Sequence, residues 1–126
     1  MKRKFKILAL AFAFLMLLPI GVFAANPTVK RNVYVKQEWV TVAEAKNGFD
    51  QNIQINHNST MYKPFLGILG LDIRMIDHNG NVVWEEKEAV PGGQRFKSFW
   101  CGSNVRKVQV KYQYGSGYVS ARLLGK

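Results

Sequence analysis

Residues 68–84 read Ile-Leu-Gly-Leu-Asp-Ile-Arg-Met-Ile-Asp-His-Asn-Gly-Asn-Val-Val-Trp, and this stretch decides the fold class. From Ile68 to Asp77, apolar and polar side chains alternate, which is the period of a β-strand with one buried face. An Asn79–Gly80 pair separates this run from a second β-rich run that begins at Val82. Asn-Gly is the strongest short-range hairpin signal, because both residues tolerate positive φ. The stretch therefore predicts two antiparallel strands joined by a tight turn. The predicted buried face carries Leu69, Leu71, Ile73 and Met75.

The same alternation recurs along the rest of the chain. Further strands are predicted at residues 32–42, 52–57, 95–100, 105–114 and 119–123, separated by turn residues such as Val90-Pro91-Gly92-Gly93 and Gly115-Ser116-Gly117. One exception is expected, because Thr41–Glu44 has the form of a capping box that opens a short helical turn, with Gly48 ending it.

About seven short strands with no long helix predict an antiparallel β-sandwich or a small barrel. The sandwich is favoured because several strands keep one polar face, as expected when a sheet is covered on one side only. Residues 77–100, a Gly-turned hairpin followed by a Val-Pro-Gly-Gly turn and an aromatic strand, resemble the middle of many immunoglobulin-like sandwiches. That resemblance covers only these residues, and it implies a pattern of strands without implying an activity.

The first 24 residues have the three-part form of a secretory signal peptide. A basic head of Lys2, Arg3, Lys4 and Lys6 precedes an apolar run at residues 7–23, and Val22-Phe23-Ala24 places small residues at the cleavage positions. An uncleaved membrane anchor is the alternative, although the run is short for a membrane span. We therefore predict a signal peptide at 1–24, a short N-terminal extension at 25–31 and a single β-sandwich domain at 32–126. The predicted location is secreted, either extracellular or associated with the cell envelope.

The net charge remains positive after removal of this segment. The whole chain carries a formal charge of +10, and fourteen Lys and Arg residues follow residue 24 together with all eight Asp and Glu, which leaves +6. Outside a cell, such a charge favours anionic polymers and anionic lipid headgroups. It is also in the range that keeps a small domain soluble.

The candidate binding residues are cationic side chains on two predicted strands that a short turn connects. If these strands pair or share a surface, their charges form one cationic face; the alternative is an ordinary solvent face whose charges protect edge strands. The cationic face comprises Arg95, Lys97, Arg106, Lys107 and Lys111. Aromatic contacts to a ligand are expected from Trp84, Phe99 and Tyr118.

The remaining chemistry-bearing residues indicate neither an enzyme nor a metal site. His57 and His78 lack ligand spacing, and no catalytic motif surrounds either one. The lone Cys101 is interpreted as a small buried apolar residue, with a covalent dimer or a reactive thiol as alternatives. No cofactor is predicted, and export argues against a nucleic-acid partner.

These observations predict a small, secreted, non-enzymatic β-sandwich that binds an anionic component of a cell envelope, either a polymer or lipid headgroups. Two alternatives share the same export, size and charge. One is a secreted, bacteriocin-like antibacterial protein that acts on a competitor's envelope. The other is an inhibitor or partner of another secreted protein.

Overall fold

The computed structural model describes residues 27–59 and 69–125, so the predicted signal peptide lies outside the described residues. Across these two ranges no helix is long and apolar enough to cross a membrane. The described chain forms the strands β1 (Thr28–Val29), β2 (Val33–Val35), β3 (Val40–Glu44), β4 (Gln51–Ser59), β5 (Leu71–Ile76), β6 (Val82–Val90), β7 (Phe96–Cys101), β8 (Lys107–Tyr112) and β9 (Gly117–Leu124).

The strands form two antiparallel sheets, which confirms the predicted β-sandwich. Sheet A has the order β1-β3-β8-β5-β6, and sheet B has the order β2-β9-β4-β7. The pairs are nested, because β2 pairs with β9, β3 with β8, β4 with β7 and β5 with β6, alternating between the two sheets. This nested order is that of a jelly roll. The resemblance to immunoglobulin-like sandwiches covered only residues 77–100 and did not predict the order of strands in the two sheets.

The hairpin predicted at Asn79–Gly80 joins β5 to β6. The Asp77 Oδ1 accepts hydrogen bonds from the backbone N–H groups of Asn79 and Asn81, both at 2.9 Å. Gly80 has a φ of 85°, the conformation for which the turn needs a glycine. Because the turn is held by its own side chain, this prediction from local sequence is confirmed.

The segment around Thr41 differs from its prediction. Residues 32–42 do not form one strand, because Val33–Val35 pairs in sheet B and Val40–Glu44 pairs in sheet A. The helical turn predicted to open at Thr41 is therefore wrong. Pairing of β3 with β8 supplies backbone partners for these residues and buries Val42, which outweighs a local cap. Thr28–Val29, within the predicted extension, pairs with β3.

The core lies between the two sheets, and the alternating apolar residues of the strands form both of its sides. In sheet B, Cys101 belongs to this core; it is fully buried and free. Burial raises the pKa of its thiol to about 12, so the thiol is neither exposed nor ionised at neutral pH. The covalent dimer through Cys101 is accordingly not supported. The inward residues include Leu71, Ile73, Met75, Val108, Val110 and Tyr112 from sheet A and Val35, Ile53, Ile55, Phe99, Val119 and Ala121 from sheet B.

A β-bulge on the edge strand β6 explains a buried carboxylate. The pairing of β5 with β6 shifts between Leu71 and Ile73, and Glu88 has a positive φ of 51°. The Asp72 Oδ1 accepts the backbone N–H of Glu88 at 2.7 Å and an N–H of the Gln113 amide at 3.3 Å. Asp72 thus satisfies a donor at the bulge, which gives this carboxylate a structural role.

Candidate functional site

The structure does not bring the five predicted cationic residues together on one face. Arg95 immediately precedes β7, and Lys97 lies on β7, which pairs with β4 in sheet B. Lys107 and Lys111 are on β8, which pairs with β3 and β5 in sheet A. The premise that these two strands pair is therefore wrong, because the jelly-roll connection between them crosses from one sheet to the other. A ligand-binding role for each residue stays a prediction.

On sheet A, the predicted cations lie beside carboxylates. Lys107 is opposite Glu44, and Lys111 is opposite Asp72. Arg106 precedes β8, and its guanidinium donates a hydrogen bond to the carbonyl of Ser103. Opposite charges in neighbouring positions weaken the field that this face presents to an anionic ligand.

Trp39 on this side of the molecule is covered by two cations. The Arg74 guanidinium carbon is 4.4 Å from the ring centroid, and the Lys111 Nζ is 4.8 Å from it. The Arg74 Nε–H also donates to the Gln109 Oε1 at 2.7 Å. This ring and the Lys111 ammonium stabilise one another, so Trp39 does not offer a free face for stacking.

The three aromatic residues that were predicted to contact a ligand do not share one exposed face either. Tyr118 is exposed, as predicted. Phe99 is 8% exposed and lies opposite Ile53 on the core side of sheet B, so the predicted exposed platform at Phe99 is wrong. Trp84 is only partly exposed, because its ring packs against Phe99 with 5.8 Å between the centroids. Lys97 is also on this side of β7, with its Nζ 5.8 Å from the Phe99 ring centroid.

Four exposed aromatic rings lie instead on the outer face of sheet B. Residues that oppose one another in antiparallel strands point to the same side of the sheet, so the register defines this face. It consists of a column of amides along β4, with aromatic and small residues on either side. The rows across β7, β4 and β9 are Trp100–Asn52–Leu124, Ser98–Gln54–Arg122 and Phe96–Asn56–Ser120, and the last row is Asn58–Tyr118–Tyr34 across β4, β9 and β2. The rings are 60% (Trp100), 59% (Phe96), 54% (Tyr118) and 49% (Tyr34) exposed.

The outer face of sheet B carries no carboxylate. All eight Asp and Glu residues of the chain lie outside its four strands, whereas the strands of sheet A contain five of them. Two adjoining depressions cross this face and share Asn32, Asn56 and Ser120, which makes them one groove. The groove has three arginines, Arg31 and Arg122 at one end and Arg95 at the other. An anion in this groove therefore meets positive charges and no facing carboxylate.

Polar contacts inside the groove orient its side chains. The Arg95 guanidinium donates to the Asn58 Oδ1 at 3.3 Å, and an N–H of the Asn56 amide donates to the Gln54 Oε1 at 3.2 Å. The Tyr34 and Tyr118 rings pack together with 5.4 Å between their centroids. These contacts hold the groove in a defined shape, and each amide retains further donor and acceptor positions for a ligand.

A buried histidine supports the groove from below. His57 lies on β4 and faces the core, where its Nε2–H donates to the carbonyl oxygen of Gln94 at 2.8 Å. Its Nδ1 therefore accepts, and the Tyr112 hydroxyl of sheet A donates to it at 2.9 Å. The neutral imidazole thus joins the two sheets directly beneath the candidate site. No group of three or more potential metal-ligating side chains occurs within 27–59 and 69–125.

His57 makes folding stability depend on pH. Burial is the largest effect and lowers the pKa of His57 below its usual 6.5; the charge of Arg95 lowers it further, and the hydrogen bond to Gln94 opposes both. Below pH 6.5 the unfolded chain takes up a proton that the folded chain still excludes. We expect the free energy of unfolding, measured with urea, to be fully retained above pH 6.5 and to fall as the pH decreases through the folded pKa.

Variants at the two histidines identify the source of this pH dependence. H57Q removes the buried imidazole and is expected to flatten the curve between about pH 7 and 5, a window above the usual pKa of carboxylates. H78Q removes an exposed histidine and is expected to keep the wild-type slope. Parallel curves for H57Q and the wild type would show that His57 does not carry the effect.

Phe96, Trp100 and Tyr34 were not among the residues predicted to contact a ligand, although one signal in the sequence pointed to the first two. Cys101 was expected to be buried, and period-2 alternation places Phe99 on the same face as Cys101. The two expectations, a buried Cys101 and an exposed Phe99, therefore conflicted. Resolving them in favour of Cys101 turns Phe96 and Trp100 outward, which is the orientation in the structure.

No protein-family model matches the chain, and no curated protein matches it. Among solved structures, the chain is similar to the lectin domain of lectinolysin complexed with Lewis b antigen, with 10% identity and a TM-score of 0.47 over 79% of this chain and 70% of that one. It is also similar to a pilus protein of Bacillus endospore appendages, with 8% identity and a TM-score of 0.39 over 80% of this chain and 87% of that one. At these identities and scores the likeness concerns the fold, and no functional conclusion rests on it.

Proposed function

We propose that this chain is a secreted, non-enzymatic protein that binds an anionic component of a cell envelope through the outer face of sheet B. The observation that carries the proposal is the separation of charge: the four strands of sheet B contain no carboxylate, while three arginines border the groove on its outer face. Guanidinium groups bind carboxylates and phosphates through paired hydrogen bonds, which suits them to an anionic polymer.

The exposed aromatic rings support a binding role for the same face. Large apolar side chains that are half exposed or more are costly to leave in water, and several on one face mark a binding surface. Trp100 and Phe96 lie on one side of the amide column, with Tyr118 on the other. Rings and amides together provide stacking and hydrogen bonding without a catalytic group.

Co-sedimentation of the purified protein with purified cell walls across a salt series tests this proposal. The Debye length shortens from about 10 Å at 0.1 M salt to about 3 Å at 1 M, so the attraction between exposed charges is screened over that range. We expect most of the protein to sediment with the walls at low salt and most of it to stay in solution at high salt. Failure to sediment at every salt concentration would refute the proposal.

A protein partner is the second candidate, since exposed rings also occur at protein interfaces. An apolar cleft between the edge strands β6 and β7 favours it, because Trp84, Phe99 and Trp100 line that cleft together with Val83. Binding to a protein ligand is expected to be less sensitive to salt and to be lost on protease treatment of the walls. Unchanged sedimentation with protease-treated walls would exclude this candidate as the wall ligand.

A further inference from the structure

We infer that the outer face of sheet B binds an acidic polysaccharide that lies lengthwise along β4 and crosses the groove at Asn56, an inference that rests on the proposed function. An anionic envelope component can also be a lipid headgroup or a ring-free phosphate polymer. The amides and rings on the outer face of sheet B distinguish among the polysaccharide, the headgroup and the phosphate polymer. These ligands differ in length and in whether they have a ring that can stack on an aromatic side chain.

The amides of β4 form a long column on the outer face of sheet B. Asn52, Gln54, Asn56 and Asn58 lie at every second position of β4 and point to the same face. At about 3.3 Å per residue, these four amides extend over about 20 Å. A single headgroup or a terminal sugar occupies only a fraction of such a column. An extended polymer can contact all four amides, each of which offers a donor and an acceptor to hydroxyl groups.

Small residues open the surface beside the amide column at two positions. Ser98 lies beside Gln54 on β7, and Ser120 lies beside Asn56 on β9. Arg122 and Phe96 lie on the other side of these two amides, so a chain along the column meets a guanidinium or an aromatic ring at each row. Trp100 and Tyr118 lie beside the first and the last amide of the column. These neighbours suit a single extended chain in the direction of β4.

Two exposed aromatic rings lie along one side of the amide column. Phe96 and Trp100 are four residues apart on β7, so their rings are about 13 Å apart along the column. Both are more than half exposed, and each can stack against the face of a sugar ring. A ring-free polymer has no such face to stack, and it would use only the arginines. Charge and aromatic surface together thus point to sugar rings that carry acidic groups.

Titration calorimetry with three probes tests this inference. The probes are oligogalacturonates of two to eight sugar units, poly(glycerol phosphate) at the same charge concentration, and phosphatidylglycerol vesicles. We expect oligogalacturonate affinity to rise with length until the column is filled and then to level off. We expect W100A and F96A each to weaken binding of the longest oligomer about 3- to 10-fold, the range of aromatic contact energies.

The control variant is Y114A, which removes an exposed ring outside the four strands of sheet B and is expected to leave oligogalacturonate affinity unchanged. Equal affinity for poly(glycerol phosphate) or for vesicles, together with no effect of W100A and F96A, would overturn the inference and leave the proposed function standing. Binding to cell walls without binding to any oligogalacturonate would also overturn the inference and leave the proposed function standing. Absence of binding to walls and to all three probes would overturn both.

Discussion

The triple variant R31E/R95E/R122E is expected to bind purified cell walls about 100-fold more weakly than the wild type at low salt. Each substitution removes one attraction to an anionic ligand and adds one repulsion. At exposed sites this amounts to about 1 kcal/mol per residue, and three such changes correspond to about two powers of ten in affinity. All three side chains are exposed on the rim of the groove, so the fold is expected to tolerate the substitutions.

A charge-matched variant on sheet A is the control. K87E/K107E/K111E changes the net charge by the same amount but acts on sheet A, whose strands also contain five carboxylates. We expect its affinity for walls to fall far less than that of the triple arginine variant. The opposite ranking would place the site on the face predicted from Lys107 and Lys111 and would refute the groove on sheet B. Equal losses would mean that only total charge matters.

Replacement of Tyr112 by alanine is expected to lower the free energy of unfolding by about 4–6 kcal/mol. Tyr112 is the largest side chain among the fully buried residues that the structure describes, and its hydroxyl donates to the Nδ1 of His57 across the two sheets. Removing a buried aromatic ring costs about 3–5 kcal/mol, and leaving the Nδ1 without a donor adds about 1 kcal/mol or more. A domain of about 100 residues has only about 5–15 kcal/mol of stability in total. Urea denaturation followed by circular dichroism measures the loss.

Y112F separates the ring from the hydroxyl. It keeps the packing volume and removes only the donor to His57, so we expect a loss of about 1–2 kcal/mol and an intact fold. If Y112F were as damaging as Y112A, the hydrogen bond across the sheets would dominate over the packing of the ring. If Y112A were as stable as Y112F, Tyr112 would not be a central element of the core.

Much of the local structure is predictable from the sequence, because the interactions that determine it are between near neighbours. The Asn79–Gly80 turn forms through contacts within five residues, since Asp77 accepts the N–H groups that the turn leaves free. Alternation also identifies which residues of β8 share a face: Val108, Val110 and Tyr112 follow one another at every second position, and all three are buried. His57 follows Ile53 and Ile55 with the same period, and it too faces the core.

The candidate site was not predictable in the same way. Alternation specifies that Phe96 and Trp100 oppose Phe99, but both faces of β7 carry aromatic rings, and a period of two does not say which face is inward. Pairing of Phe99 with Ile53 decides it, across a separation of more than forty residues. The groove likewise combines residues from the segment before β2, from β4, from β7 and from β9, which only the nested strand order brings together.

The sequence by itself therefore determined the class of fold, the position of the main hairpin and the periodic faces of most strands. These follow from backbone preferences and from alternation, which act over a few residues. Only the tertiary structure decided which strands share a sheet and where the positive charges lie without carboxylates. Those features depend on the register of strands that are distant in the chain, and that register is set by how the two apolar faces pack against one another.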